Sequence, residues 1–489
     1  MALLSKQSPS PLPKWLSFWP AFLIGPAFML LTLLCQPPIA ELSPAAWRTA
    51  GLVLWMATWW VSEVIPIPAT SLLPLIMVPF AGIAPLSNTA PAYAHPLIFL
   101  FLGGFLLSLA MEKWQLHKRI ALKTLLLASN TPSQQLLAMM LITAFLSMWM
   151  SNTATAVMML PIALSIINMV KTKDAADDVY AKAMLLGIAY SASIGGIATL
   201  IGTPPNALMA AYLAENFDIQ LGFAQWMQVG FPLSCLLLLC AWFWLAHIHF
   251  KVNNCPTVSG KSLLSQQLNM LGPMSRAEHR VLWVFIFTAS GWLLRPYLSQ
   301  LSGLNISDTS IALMAALALF ILPANPDTDE RILDWQTAQK VPWGVLLLFG
   351  GGLALAVQVQ TSGLADYIAT YMKQLTTVNL IIGILLVTAA ITFLTEITSN
   401  SATAAGFLPL LGPVAVTFTG SPLSWVVPGA LAASCAFMMP VATPPNAIVF
   451  GSGELKISDM VKAGLFLNLV AILLITLVTV TIMPALLAS

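Results

Sequence analysis

Two short stretches of the chain carry side chains able to hold small ions in an apolar setting, Ser151-Asn-Thr-Ala-Thr155 and Ser399-Asn-Ser-Ala-Thr403. A second pair follows them: Gly202-Thr-Pro-Pro-Asn206 and Ala442-Thr-Pro-Pro-Asn446. Hydroxyl and amide oxygens are ligands for hard cations, while hydroxyl and amide hydrogens are donors to an anion. Each Pro-Pro pair lies inside an apolar run, removes two amide donors and breaks a helix, which frees carbonyl oxygens nearby. For one Ser-Asn-Thr stretch the plainest reading is polar glue between packed helices, worth about 1 kcal/mol. Its recurrence beside a second recurring helix break turns that reading into a paired site.

What the stretches lack is as informative. No Lys or Arg falls within 133–170 or 376–415, or beside either Thr-Pro-Pro-Asn motif. A di- or tricarboxylate held there meets no fixed positive side chain, a costly arrangement in a low dielectric. Bound sodium ions would supply the missing charge, so that each ligand improves the site for the other. Glu396, three residues before Ser399, reads as a cap or backbone anchor near the second motif, with proton carriage as the alternative. Glu63, beside Pro66 and Pro68, reads as interfacial. The five histidines and five cysteines, Cys255 among them, show no metal-ligand, haem or disulfide spacing.

The elements that must position these residues are read from composition and hydropathy. Only 8% of the 489 residues are charged and 58% are hydrophobic, against roughly 25% charged in a soluble domain. The mean hydropathy is +0.86. Together these give an all-α polytopic membrane protein. A net charge of +2 points to no nucleic-acid partner. The apolar runs predict about eleven transmembrane helices, at 15–36, 47–62, 69–86, 97–112, 180–213, 229–249, 281–299, 308–323, 341–357, 418–450 and 463–486. Two re-entrant hairpins, 133–170 and 376–415, carry the Ser-Asn motifs near their middles. The run from Trp15 to Cys35, after Lys6 and Lys14, reads as a retained first span. With the N-terminus in the cytoplasm, all of the 20 Lys and Arg except Arg48, Arg295 and Lys373 fall inside, Lys113, Lys171 and Lys173 among them. That asymmetry is the positive-inside pattern, and it puts the C-terminus outside. Lys113 to Lys123 reads as a cytoplasmic interfacial helix, Lys251 to Arg280 as a cytoplasmic linker, and the 16 Trp, with Trp59 and Trp60, as an aromatic belt.

The chain also repeats. Phe101-Leu-Gly-Gly matches Phe349-Gly-Gly-Gly and Ser151-Asn matches Ser399-Asn at one offset, 248 residues; Thr203 matches Thr443 at 240. An odd number of spans between equivalent points turns the two halves in opposite directions. Inverted repeats of this kind place a site at their interface near the bilayer midplane.

Taken with Trp59-Trp-Val-Ser-Glu-Val-Ile-Pro-Ile-Pro68, these motifs resemble the divalent anion/sodium symporter family, in order and over nearly the whole chain. The resemblance implies a homodimeric elevator transporter of di- or tricarboxylates driven by sodium, with no organic cofactor and no enzymatic activity. It implies scaffold helices at 1–130 and 281–375, transport-domain parts at 131–250 and 376–489, and the linker at 251–280. By motif, Ser147, Ser151, Asn152 and Gly202 would form one sodium site, and Thr395, Thr398, Asn400 and Ala442 the other. Asn152, Thr153, Asn400 and Ser401 would hold the substrate carboxylates, with Ser151, Ser399, Thr203 and Thr443 around them. The family's second motif commonly reads Ser-Asn-Thr; Ser401 departs from it and bears on substrate size. The expectation is sodium symport of a C4-dicarboxylate, with citrate second, in a bacterial inner membrane and in contact with its lipid. Sodium-independent exchange and a membrane enzyme or redox subunit are the alternatives.

Overall fold

A computed structural model of the chain describes residues 14–39, 41–127, 131–170, 179–254, 261–325, 329–372 and 379–481. Lys6, Lys171, Lys173, Lys373 and Cys255 lie outside the described residues. Among the described residues there is no β-strand, only an isolated bridge between Pro323 and Arg331. In lipid this is the expected economy, since a helix satisfies its backbone groups within its own segment.

The first half runs through α1 (Lys14–Leu34), α2 (Pro44–Ser62), α3 (Leu73–Phe80), α4 (Pro96–Lys113) and α5 (Leu116–Leu127). A hairpin of α6 (Pro132–Ser147) and α7 (Asn152–Val170) follows, then α8 (Val179–Ile197), α9 (Pro204–Phe217) and α10 (Phe223–Phe243). A connecting helix, α11 (Lys261–Met270), leads to the second half: α12 (Arg276–Ser302), α13 (Asp308–Ile321), α14 (Trp343–Thr361) and α15 (Leu364–Met372). The second half closes with the hairpin of α16 (Leu380–Thr395) and α17 (Asn400–Thr419), then α18 (Leu423–Ala433), α19 (Pro444–Phe450) and α20 (Ile457–Thr481).

By length and composition, 6 helices among the described residues suffice to cross a membrane: Leu86–Lys113, Phe223–His249, Arg276–Ser302, Trp343–Thr361, Asn400–Thr419 and Ile457–Thr481. Other apolar helices are shorter, and proline explains several of them. The span expected at 69–86 is divided: Pro66 precedes a short helix at Ile67–Thr70, Pro74 opens α3 and Pro79 lies near its end. The runs expected at 180–213 and 418–450 each contain a non-helical stretch, at 198–203 and 434–443.

The repeated Phe-Gly-Gly landmarks pack the two halves together. Phe101 of α4 meets Phe349 of α14 edge to face, with ring centroids 5.0 Å apart at 89°. Such a pair contributes about 0.5–1.5 kcal/mol beyond its buried area. Trp59 and Trp60 are buried rather than belted at the surface. Trp59 donates from Nε1 to the Phe22 carbonyl at 3.1 Å, and Trp60 to Ser71 Oγ at 3.3 Å. The broad apolar surface lies elsewhere. α12 presents Trp283, Phe287, Tyr297 and Leu301, and only 28% of its most apolar window is buried.

Within 251–280, the described residues 271–278 are fastened to α5. Arg119 of α5 pairs through Nε with Glu278 Oε1 at 2.7 Å and donates to the carbonyls of Gly272 at 2.9 Å and Leu271 at 3.2 Å. Glu278 also closes a capping box with Ser275 at the start of α12. Both charges are buried, so each requires the other.

Candidate functional site

Both hairpins turn at their Ser-Asn motif because a capping residue starts the second helix there. Ser151 Oγ accepts from the Ala154 amide at 3.2 Å, and Ser399 Oγ from Ala402 at 3.3 Å. Ser/Thr/Asn side chains are favoured at this position because they satisfy amides that a helix leaves open. The Thr-Pro-Pro-Asn motifs do the same for the half-helices. Thr203 and Thr443 are extended N-cap residues, and the prolines occupy the first helical positions, where a missing N–H costs nothing. Thr443 Oγ1 accepts from the Asn446 amide at 3.3 Å, whereas Thr203 makes no such bond.

The asparagines close the motifs by bracing the non-helical stretches. Asn206 Nδ2 donates to the carbonyls of Gly196, Ile197 and Thr199, the last at 2.8 Å. Asn446 Nδ2 donates to Ala436 at 3.3 Å and Met439 at 3.0 Å. Irregular backbone is thereby held where it faces a cavity and protein rather than lipid.

Around each hairpin turn oxygens converge. In the first half Ser147 Oγ lies 2.6 Å from the Ala192 carbonyl oxygen. The Asn152 amide faces three oxygens: Ser147 Oγ at 2.7 Å, Ala192 O at 3.0 Å and Gly202 O at 3.3 Å. With its nitrogen turned inward, the amide donates to them. With its oxygen turned inward, four oxygens face one another, an arrangement an alkali cation satisfies; amide orientation alone decides between the two. In the second half Thr395 Oγ1 lies 2.8 Å from Asn400 Oδ1 and 3.2 Å from the Ala433 carbonyl oxygen. Thr398 turns aside, its hydroxyl 2.6 Å from Thr403 Oγ1. Ser147 and Thr395 are fully buried beneath the turns.

One cavity of about 910 Å³ joins both turns. Ser151, Asn152, Thr153, Gly202 and Thr203 line it from the first half, and Ser399, Asn400, Ser401, Ala442 and Thr443 from the second. Ser147, Thr395 and Thr398 are not in its wall. The N-termini of α7, α9, α17 and α19 all reach it; α7 and α17 bring open amides that favour an anion, whereas α9 and α19 begin in Pro-Pro and bring only their dipoles. Lys340 is the one Lys or Arg in its lining among the described residues, and Glu63, Glu112 and His117 also line it. His117 adds no ready charge, because burial pushes its imidazole below the usual range. Its Nδ1 lies 2.8 Å from the Met111 carbonyl oxygen.

Glu396 accounts for the second non-helical stretch. Its carboxylate accepts from the amides of Phe437 at 2.7 Å, Met438 at 2.9 Å and Met439 at 2.9 Å, and from Asn468 Nδ2 at 2.7 Å. Every partner is a donor, which matches an anchor for backbone.

Sequence reading had no means of finding the carbonyls of Ala192 and Ala433, which any residue could supply. Nor did it bring Lys340 or His117 to the cavity, since both lie far along the chain from the motifs.

The helical architecture is found among solved transport proteins. The YdaH transporter of Alcanivorax borkumensis superposes with a TM-score of 0.57 at 14% identity, covering 96% of this chain and 98% of that one. MtrF of Neisseria gonorrhoeae, described as illuminating a class of antimetabolite efflux pumps, gives 0.50 at 13% identity over 80% and 83%. At such identities the likeness concerns the fold alone. The chain belongs to the sodium:sulfate symporter family, whose transmembrane region matches residues 17–488. Among its relatives is the sodium-dependent dicarboxylate transporter SdcS of Staphylococcus saprophyticus, 41% identical over 471 residues, 94% of this chain and 91% of that protein. The Staphylococcus aureus protein of the same name is 40% identical over 94% and 90%.

Proposed function

We propose that the chain is a sodium-coupled symporter of C4-dicarboxylates such as succinate, malate and fumarate, with citrate second in order. One observation carries the reading: two oxygen clusters, at Ser147–Asn152 and Thr395–Asn400, flank a cavity onto which four helix N-termini open. Ser147, Ser151, Asn152 and Gly202 would hold one sodium ion, and Thr395, Thr398, Asn400 and Ala442 the other, partly through backbone carbonyls. Asn152, Thr153, Asn400 and Ser401 would meet the carboxylates, with Ser151, Ser399, Thr203 and Thr443 completing the wall. Sodium is cargo here, and its charge offsets the anion's beside the two hairpin turns, which carry no Lys or Arg. The names of the relatives point to the same pairing of sodium with dicarboxylate.

The parts 131–250 and 376–489, with both hairpins and both broken helices, would form the moving body of an elevator, carried past scaffold helices at 1–130 and 281–375 in a homodimer. In an inner membrane, the charge asymmetry would put the N-terminus in the cytoplasm and the C-terminus on the periplasmic or extracellular side.

Purified protein in liposomes tests the reading. Labelled succinate is expected to accumulate only under an inward sodium gradient. Uptake that ignores sodium and instead requires internal carboxylate would replace symport with exchange. A panel of malate, fumarate, citrate and sulfate, each with and without sodium, fixes the substrate class.

A further inference from the structure

We propose that Glu396 is a positioning residue that ends helix α18 early and so frees the Ala433 carbonyl, making the second oxygen cluster the tighter of the two sodium sites. The inference rests on the symport reading above.

In an α-helix each N–H bonds the carbonyl four residues back. Continued through 437–439, α18 would spend the amides of Phe437, Met438 and Met439 on the carbonyls of Ala433, Ser434 and Cys435. The Glu396 carboxylate takes those three amides instead, at 2.7, 2.9 and 2.9 Å. α18 accordingly stops at Ala433. The carbonyl left over at that position is the one that Thr395 Oγ1 approaches at 3.2 Å, beside Asn400.

The first half is built otherwise. The position three residues before Ser151 is Met148, which offers no carboxylate. Its own carbonyl accepts from Thr199 Oγ1 at 2.6 Å, and that hydroxyl in turn accepts from the Gly202 amide at 3.0 Å. α8 therefore continues to Ile197, and the Ala192 carbonyl lies inside it, where a helical N–H also claims the oxygen. A carbonyl free of that competitor presents its full dipole to a cation. A buried carboxylate anchored to the same loop adds negative potential in a low dielectric. Both effects favour sodium at the second cluster.

The test follows uptake of labelled succinate, at saturating concentration, by full-length protein in liposomes while external sodium is varied against choline. Glu396→Gln keeps the size of the side chain and removes its charge and one acceptor oxygen. It is expected to raise half-saturating sodium about tenfold, or ~1.4 kcal/mol, with half-saturating succinate at high sodium held within about twofold. A purely structural role would lower the amount of folded protein without moving the sodium requirement. Asn468→Ala leaves the carboxylate and its three backbone donors in place, and is expected to shift sodium about two- to threefold in the same direction. Should Glu396→Gln not fold, Asn468→Ala decides alone. An unchanged sodium requirement in the folded variant overturns the proposal and leaves symport standing. Sodium-blind uptake by the unaltered protein overturns both.

Discussion

The two halves reach one arrangement by different chemistry. In the first, the loop after α8 closes tightly around Asn152 through glycine. A Cβ on Gly196 would stand 2.6 Å from the Asn152 side-chain amide, and one on Gly202 would stand 2.5 Å from the Gly196 carbonyl oxygen. In the second, the matching positions are Ala436 and Ala442, both buried, and the loop is held open by the Glu396 carboxylate. Close approach does the work on one side and a buried acceptor does it on the other. The lesson is that duplication sets where the backbone must break, while the means of holding the break is free to differ.

The largest effect should come where the halves are alike. Asn152→Ala and Asn400→Ala each remove an amide that faces the oxygens of its cluster and also lines the shared cavity. Each is expected to reduce succinate uptake to background while the protein still elutes as a folded, monodisperse species. Normal uptake by one variant and none by the other would show that only one half binds. Next is the glycine difference. Gly202→Ala forces a methyl into occupied space and should cost about 1–3 kcal/mol, seen as a roughly five- to 150-fold rise in the sodium needed for uptake. Ala442→Gly, which only adds space, should leave the sodium requirement within about threefold. Equal responses would mean that the first loop is no tighter than the second.

Much of this contrast was readable in the residues, and some of it was not. Paired Ser-Asn and Thr-Pro-Pro-Asn motifs marked both turns and both breaks, because capping and proline chemistry is local and carries a side-chain signature. The all-helical membrane class followed from low charge content and high hydropathy. Glu396 was legible as an anchor, though its partners at 437–439 were not, since main-chain amides leave no trace in sequence. Trp59 and Trp60 were misplaced for a related reason. In a membrane protein the core and the lipid are equally apolar, so hydropathy does not tell a buried Trp from a belt Trp. The division of 69–86 into short helices was signalled by its prolines and masked by its even hydropathy.

A finer comparison concerns the third residue of each motif. Thr153 and Ser401 line the cavity from opposite halves and differ by one methyl. Within an apolar wall a methyl is worth about 1 kcal/mol at the low end of its range, or roughly fivefold in discrimination. Ser401→Thr should narrow the cavity and raise half-saturating citrate more than half-saturating succinate, by about that factor. Thr153→Ser should do the reverse. If both variants leave the ratio of citrate to succinate uptake unchanged, the carboxylates are held by the amides alone.

The smallest effect belongs to a fastening between the halves that lies outside the site. Lys113, at the end of α4, donates to Asp334 Oδ2 at 2.7 Å, while Asp334 Oδ1 accepts from the Thr337 amide at 2.7 Å. The Lys113 ammonium first, and the Thr337 amide second, hold the Asp334 carboxyl down at about 2. A depressed folded-state value means that the stability it lends is complete above the unfolded value near 3.8 and fades as pH falls toward 2. The side chain of Asp334 remains 43% exposed, so solvent screening keeps the contribution below about 1 kcal/mol. Asp334→Asn should therefore lower the melting temperature of the detergent-purified protein slightly and equally at pH 5 and pH 8, with the difference shrinking only below about pH 4. Its sodium requirement should match that of the unaltered protein. A shift in that requirement would tie this fastening to the transport cycle, and the contrast between the halves would then extend from the two clusters to the rim that joins them.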